Sequence, residues 1–249
     1  MIRPIAIDPW MRVVMAAVLL ASCSAPAVEP QGDATPQAAD GWVMPPQVQA
    51  VRSEGRDMIV SGIGQPGGRV VLRTDTGAAF AAVADDAGRF EIRMARPLGD
   101  LQLHPETQRG QEAAPSPETL VILAGGAGPI AILSPGVPTR RLDTPPALGA
   151  LDTDGRVMIV SGYAALGTVV EVSAAGRRPT APITADAAGQ WMAVLPDVGA
   201  ASIRVGEAVF DYPGASASAG FDVRRAGSGW LIHWSAPDGA AQTTWLPAA

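Results

Sequence analysis

From residue 45 onward the chain is written in short apolar runs separated by Gly, Pro and Asp, and no window carries an apolar face at i, i+3, i+4, i+7. That pattern predicts strands. The clearest is Phe90-Glu91-Ile92-Arg93-Met94, where Phe, Ile and Met point to one side and Glu and Arg to the other, as on a half-buried sheet. Leu101-Gln102-Leu103 continues with the same period, and Ser202-Ile203-Arg204-Val205 repeats it later. Val170 shares a face with Val172 while Glu171 turns away, and Val70 and Leu72 have the same layout. "DDAG" precedes the Phe90 strand and "DAAG" precedes Trp191. Both are turn signals, with Asp supplying a local side-chain acceptor and Gly the positive φ.

The pattern is also written twice. Met58-Ile59-Val60-Ser61-Gly62 returns unchanged as Met158-Ile159-Val160-Ser161-Gly162, and extending the comparison outward gives ten identities over the 18 positions 45–62. One inserted residue later, "ADDAGRF" (84–90) faces "ADAAGQW" (185–191), and "GAGPIAILS" (126–134) faces "GSGWLIHWS" (227–235). A period of about 100 residues is a domain-sized unit rather than a solenoid repeat. Each unit holds about seven short strands, the pattern of a β-sandwich. The expected fold is therefore all-β, with two tandem antiparallel β-sandwiches at 45–142 and 143–249, a boundary near Arg140–Thr144, and units that fold separately.

The "V-S-G-x-x-x-x-G" opening and the "A-D-x-x-G-[RQ]-aromatic" strand entry resemble the tandem bacterial immunoglobulin-like modules of cell-surface and envelope proteins. "D-x-x-G-R-F" before an alternating strand is also similar to carboxypeptidase-regulatory-like sandwiches. Either resemblance implies an antiparallel sandwich and neither implies a reaction. Unlike antibody domains, the chain has no Cys pair to bridge its sheets.

The single cysteine closes "LASC" (20–23), after Arg12 and the apolar run Val13 to Leu20. This resembles the bacterial lipoprotein signal, which implies lipidation at Cys23 and removal of residues 1–22. The run is too short to span a bilayer. Pro4, Asp8 and Pro9 interrupt an n-region, so the expected start is Met11. Two or more acyl chains would hold the protein to a membrane essentially permanently. Ser24 after the Cys implies, by the same resemblance, the outer membrane. Residues 23–44 are rich in Pro, Ala and acidic residues and read as a flexible tether.

Net charge narrows the partners. All 18 basic residues are Arg, against 24 acidic ones, for a net −6. Removing residues 1–22 takes away Arg3, Arg12 and Asp8, a net +1, and leaves −7. An acidic chain argues against nucleic acid. The remaining partners are the membrane, through the anchor, and an envelope protein or glycan. The doublets Arg140-Arg141, Arg177-Arg178 and Arg224-Arg225 read as solvated pairs, with an anionic envelope polymer as the alternative.

Candidate chemistry is thin. "GIGQPG" (62–67) satisfies G-x-G-x-x-G, yet Pro66 and "GRVVL" lead into a strand rather than a helix, so Gly62 and Gly67 read as hairpin glycines and no cofactor is expected. "DTDG" places Asp152 and Asp154 as a weak calcium candidate, but Ala150 and Ser161 fill the places where a calcium loop needs Asp and Glu. No other metal site suggests itself. His104 and His233 are the only histidines, and neither has a Cys, Asp or Glu at ligand spacing. No catalytic residue is assigned.

The aromatic residues are uneven, with Trp191, Trp230, Trp234 and Trp245 all in the second unit. Trp230 and Trp234 read as sandwich core; the functional alternative is an exposed platform of Trp230, Trp234 and Trp245 contacting a ligand. The expectation is a non-enzymatic, lipid-anchored envelope protein serving as a structural or protein/glycan interaction module. The alternative is an accessory domain of an envelope-polymer hydrolase or a weak carbohydrate-binding protein, which a His–carboxylate pair within hydrogen-bond reach would favour.

Overall fold

The computed structural model describes residues 42–215, 218, 220–236 and 239–248. Residues Trp42–Ala249 form one compact unit. The fold is all-β and antiparallel. The first half contains β1 (Gln47–Glu54), β2 (Asp57–Ile63), β3 (Arg69–Arg73), β4 (Ala79–Val83), β5 (Arg89–Ala95), β6 (Leu101–Arg109), β7 (Glu112–Pro115), β8 (Thr119–Ile122), β9 (Ile130–Leu133) and β10 (Arg140–Arg141). The second contains β11 (Ala150–Thr153), β12 (Val157–Tyr163), β13 (Val169–Val170), β14 (Val172–Ala174), β15 (Ile183–Thr184), β16 (Gln190–Pro196), β17 (Ala201–Val205), β18 (Ala208–Tyr212), β19 (Asp222–Ala226), β20 (Gly229–Ser235) and β21 (Ala241–Pro247).

Each half is two sheets face to face. In the first, β1-β2-β5 packs against β10-β9-β8-β6-β3-β4, with β7 added to β6. Met58, Val60, Phe90 and Ile92 from one sheet meet Val70, Leu72, Leu103 and Leu120 from the other. The predicted alternation of β5 holds residue by residue: Phe90, Ile92 and Met94 are buried while Arg89, Glu91, Arg93 and Ala95 are exposed. In the second half β16-β12-β11-β21-β20-β19 faces β14-β17-β18, with β13-β15 alongside. Its core gathers Leu151, Val160, Trp191, Ile203, Tyr212 and Trp245.

The two Asp–Gly turns are built alike. Asp85 Oδ1 accepts the N–H groups of Ala87 and Arg89, and Asp186 Oδ1 accepts those of Ala188 and Gln190. These donors, Arg89 first, hold the Asp85 carboxyl below its usual range. Gly88 and Gly189 follow with φ of +77° and +76°. The halves diverge at their last strands. In the first, β8 pairs with β6, whereas in the second the closing strand β21 pairs with β11, so the terminal hairpins join opposite sheets.

The structure corrects the hairpin reading of Gly62. Gly67 does sit in a turn, with φ +69°, but Gly62 lies within β2, paired with Phe90, and its counterpart Gly162 pairs with Trp191. A Cβ at Gly62 would stand 2.0 Å from Gln47 O and 2.9 Å from Phe90 Cζ; at Gly162 it would stand 2.3 Å from Ala147 O and 2.7 Å from Trp191 Cζ2. Here glycine is needed for space, because an aromatic ring and a crossing backbone occupy the place of its side chain.

A third apolar cluster joins the halves. Val121, Leu123, Ala131 and Leu133, on the outer side of β8, β9 and their loop, pack against Ala150, Trp230, Ile232, Trp234 and Leu246 on the outer side of the second half's large sheet. Strands β8, β9, β20 and β21 are thus buried on both faces. Gly128 follows from this contact, since a Cβ there would meet Trp230 Cζ2 at 2.8 Å.

Gly62→Ala is expected to destabilise the protein by about 1–3 kcal/mol, because Gln47 O and the Phe90 ring must both move to admit a methyl group. Equilibrium urea denaturation measures it. An unchanged midpoint would show that β1 is free to shift.

Candidate functional site

The junction between the halves carries the densest buried polar chemistry among the described residues. Arg141 lies at its centre, buried in β10, which pairs with β9. Its guanidinium grips the Asp143 carboxylate through Nε and Nη2 and donates through Nη1 to Gly149 O and Pro247 O, each at 3.1 Å. One side chain therefore ties the connecting segment to the start of β11 and the end of β21. Arg140, beside it, donates to Val48 O at 2.7 Å and so reaches back to β1. This doublet is structural rather than solvated. Of the other two, Arg177 and Arg178 are exposed, and Arg225 lies 3.6 Å from the ring centroid of Trp230.

Behind the Arg141 lock, the buried Asp152 carboxylate accepts three hydrogen bonds. They come from Thr139 N at 2.8 Å, Thr139 Oγ1 at 2.6 Å and Thr244 Oγ1 at 2.6 Å. Trp234 Nε1 donates to Thr244 Oγ1 at 3.1 Å and extends the network. Burial pushes the Asp152 carboxyl up, against the lowering effect of these donors.

On one flank of the junction opens a cleft of about 540 Å³. Glu118, Arg140, Tyr163, Asp186, Gln190 and Trp191 are among its lining. Glu118 Oε2 and Trp191 Nε1 are buried with no hydrogen-bond partner. Burial pushes the Glu118 carboxyl up, with the Arg140 charge opposing. The Tyr163 hydroxyl donates to Arg141 O at 3.4 Å, and burial raises its pKa as well. The accessible groups of the cleft are the Asp186 carboxylate, the Gln190 amide, the Arg140 guanidinium and the Tyr163 hydroxyl, a set that suits a hydroxyl- or amide-rich ligand. Asp186, Gln190 and Trp191 fall in the "ADAAGQW" stretch, but no motif brings Glu118 or Arg140 to the cleft. Its residues come from six separate segments, and only the spacing of the paired halves brings them together.

The residues singled out from the sequence fall as follows. Cys23 lies outside the described residues. Trp230 and Trp234 are buried, yet in the joint between the halves rather than inside a sandwich. Trp245 lies in the second core, its Nε1 donating to Ala226 O at 3.0 Å and its ring 5.8 Å from that of Tyr212. All three rings are buried, so an exposed platform of Trp230, Trp234 and Trp245 is not what they form. Asp152, Asp154 and Trp234 line one small recess of about 160 Å³. Asp152 is occupied as described, while Asp154 is a turn residue whose carboxylate accepts Arg156 N and Val157 N and is held below its usual range by them. No group of three or more His, Cys, Asp or Glu capable of holding a metal occurs among the described residues.

The histidines have partners that spacing along the chain did not reveal. His104 Nε2 lies 3.0 Å from Asp75 Oδ1, and its Nδ1 lies 3.5 Å from Thr119 Oγ1. His233 is buried, its Nδ1 3.0 Å from Thr243 Oγ1; burial lowers its pKa, Arg224 adds to that and Asp222 opposes it.

Asp152 makes stability at the joint depend on pH. Its folded pKa is raised, so its contribution is full below the unfolded value of about 3.9 and is lost as pH rises through the folded value. The difference in unfolding free energy between the parent and Asp152→Asn should therefore shift in favour of the parent as pH falls from neutral, and level off near pH 4. Chemical denaturation across that range tests this, and a pH-independent difference would contradict it. No protein family matches the chain, and no curated protein does.

Proposed function

We propose that this chain is a non-enzymatic, lipid-anchored protein of the bacterial cell envelope, a binding module in which two immunoglobulin-like sandwiches, at 45–142 and 143–249, present a cleft of fixed shape to an envelope protein or glycan. The observation that carries this reading is the joint. Arg141, the Asp152 network and the third apolar cluster hold the two halves as one body, so the cleft at their seam keeps its geometry without a ligand. A preformed concave site lowers the ordering cost of binding. The "LASC" stretch supports anchoring at Cys23, and residues 23–44 supply a tether between the lipid and the module. Ser24 supports the outer membrane as the destination.

Cys23→Ala is expected to move the protein from the membrane fraction to the soluble periplasmic fraction. Fractionation followed by detergent-phase partition tests this, and unchanged partition would sink the anchored reading.

One contact favours the enzyme alternative. His104 stands between Asp75 and Thr119, and a His oriented by a carboxylate is the usual arrangement of a general base. Against it, both ring nitrogens are engaged and the site is half exposed. Purified protein is therefore expected to cleave neither peptidoglycan nor other envelope glycans, and His104→Ala to change nothing in such an assay. Hydrolysis abolished by His104→Ala, in a variant that melts like the parent, would replace the binding reading with the enzymatic one.

A further inference from the structure

The same strand pair faces outward in both halves, with opposite chemistry. On β2 and β5 the outer face is covered by ion pairs, Arg52 with Glu91 and Arg93 with both Glu54 and Asp57. On β12 and β16 it is apolar: Val157 is 43 %, Met192 45 % and Val194 53 % exposed, with Ile159 opposite Val194. This strip continues directly into the part of the sheet that the first half covers, from Ala150 to Trp234. It is the uncovered remainder of an established sheet-on-sheet contact.

Strand β16 is also the outermost strand of its sheet among the described residues. Its residues, Gln190-Trp191-Met192-Ala193-Val194-Leu195-Pro196, include no charge, whereas β5 carries Arg89, Glu91 and Arg93. Charges are a common guard against edge pairing, and here only the first half has it. The direction of the free backbone groups follows from the ladder. Asp197 N donates to Arg156 O, so by the alternation of an antiparallel pair residues 195, 193 and 191 also bond to β12. Residues 190, 192, 194 and 196 then point their backbone groups to the open edge. Gln190 is already capped by Asp186, which donates its N–H to Gln190 O and accepts the Gln190 N–H. At Pro196 the missing N–H falls on the open side, where it breaks no bond of the sheet. Met192 and Val194 are left with both N–H and C=O directed outward.

We propose that this edge is the interface with a second copy of the chain, formed by antiparallel pairing of β16 with its counterpart about a two-fold axis through Ala193, which sets the two apolar strips side by side in one continuous sheet. That register sets Met192 opposite Val194 of the partner subunit and forms four backbone hydrogen bonds. It also matches large with large on both faces, since Trp191 meets the partner's Leu195. An isologous contact must be self-complementary, and an uncharged strand nearly symmetric about its central alanine is so. A single strand pair buries little area, so the dimer is weak in dilute solution and favoured where a membrane anchor concentrates the chains.

The register gives a specific test in the full chain. Met192→Cys and Val194→Cys together place thiols on directly opposed residues about 5.5 Å apart at Cα, within disulfide reach, while either change alone leaves its own copy on a diagonal that is too long. In membranes treated with mild oxidant, the double variant should give a reducible dimer on non-reducing electrophoresis. Each single variant should give no more than the parent, which carries only Cys23. In parallel, detergent-solubilised parent protein should show a sedimentation coefficient that rises with concentration. Val194→Arg should remain at the monomer value with an unchanged melting temperature. Equal cross-linking in the single variants, a parent that is monomeric at every concentration, or a dimer undiminished by Val194→Arg would each overturn the proposal. A monomeric parent that instead binds an uncharged extended peptide at this edge, blocked by Val194→Arg, would assign the surface to a foreign strand and likewise overturn it.

Discussion

Because β8, β9, β20 and β21 carry apolar side chains on both faces, neither half can bury them alone. Leu120, Ile122 and Ile132 fill the first core while Val121, Ala131 and Leu133 fill the joint. Leu231 and Trp245 fill the second core while Trp230, Ile232 and Leu246 fill the joint. Each large side chain so buried contributes on the order of 1.5–3 kcal/mol, and separating the halves would return the joint set to water together. The polar elements at the seam depend on this constraint. Arg141 can reach Pro247, and Thr139 can reach Asp152, only while the two sheets stay pressed together.

The halves show how one strand template takes on different duties through its outer face alone. Inward positions are conserved in character, with Phe90 over Gly62 and Trp191 over Gly162. Outward positions differ. In the first half they are Arg and Glu, in the second Met and Val, and at the terminal hairpins they become the joint. The change of partner by the last strands is what lets this happen. With β21 beside β11, the second half's large sheet extends its outer face under the first half, and β8 beside β6 brings the matching apolar face to meet it.

Much of the fold was legible because it rests on local chemistry. The period of two in β5 and the Asp–Gly turns depend on neighbours a few residues away. The joint was less legible. "LVIL" (120–123) and "IAIL" (130–133) are unbroken apolar runs, which a period of two assigns to one core only, although an unbroken run is what a strand buried on both sides requires. Alternation along β20 puts Trp230, Ile232 and Trp234 on one face and Leu231 and His233 on the other, but which body lies across the tryptophan face is not encoded nearby. Gly62 was misread because its neighbour Gln47 approaches through the register of a different strand. The cleft lay beyond reach for the same reason: Glu118 and Asp186 are 68 positions apart and meet only across the seam. His104 and Asp75 are brought together by the β3–β6 pairing, not by spacing.

The ion pairs on the first half's outer face have a consequence for how the chain finds its own partners while folding. Two identical "MIVSG" segments, each seeking an aromatic-bearing strand, invite exchange between the halves, a hazard of adjacent similar units. Arg93 discriminates between them. Beside β2 it meets Asp57, and Glu54 of the adjoining β1, but beside β12 Val157 stands in the place of Asp57 and one of its two carboxylate partners is lost. Strand β16, which has no charge, gains nothing from Asp57 and would strand it. Pairs that contribute little to the finished molecule thus act as an address, making the correct partner of each near-copy cheaper to join than the wrong one.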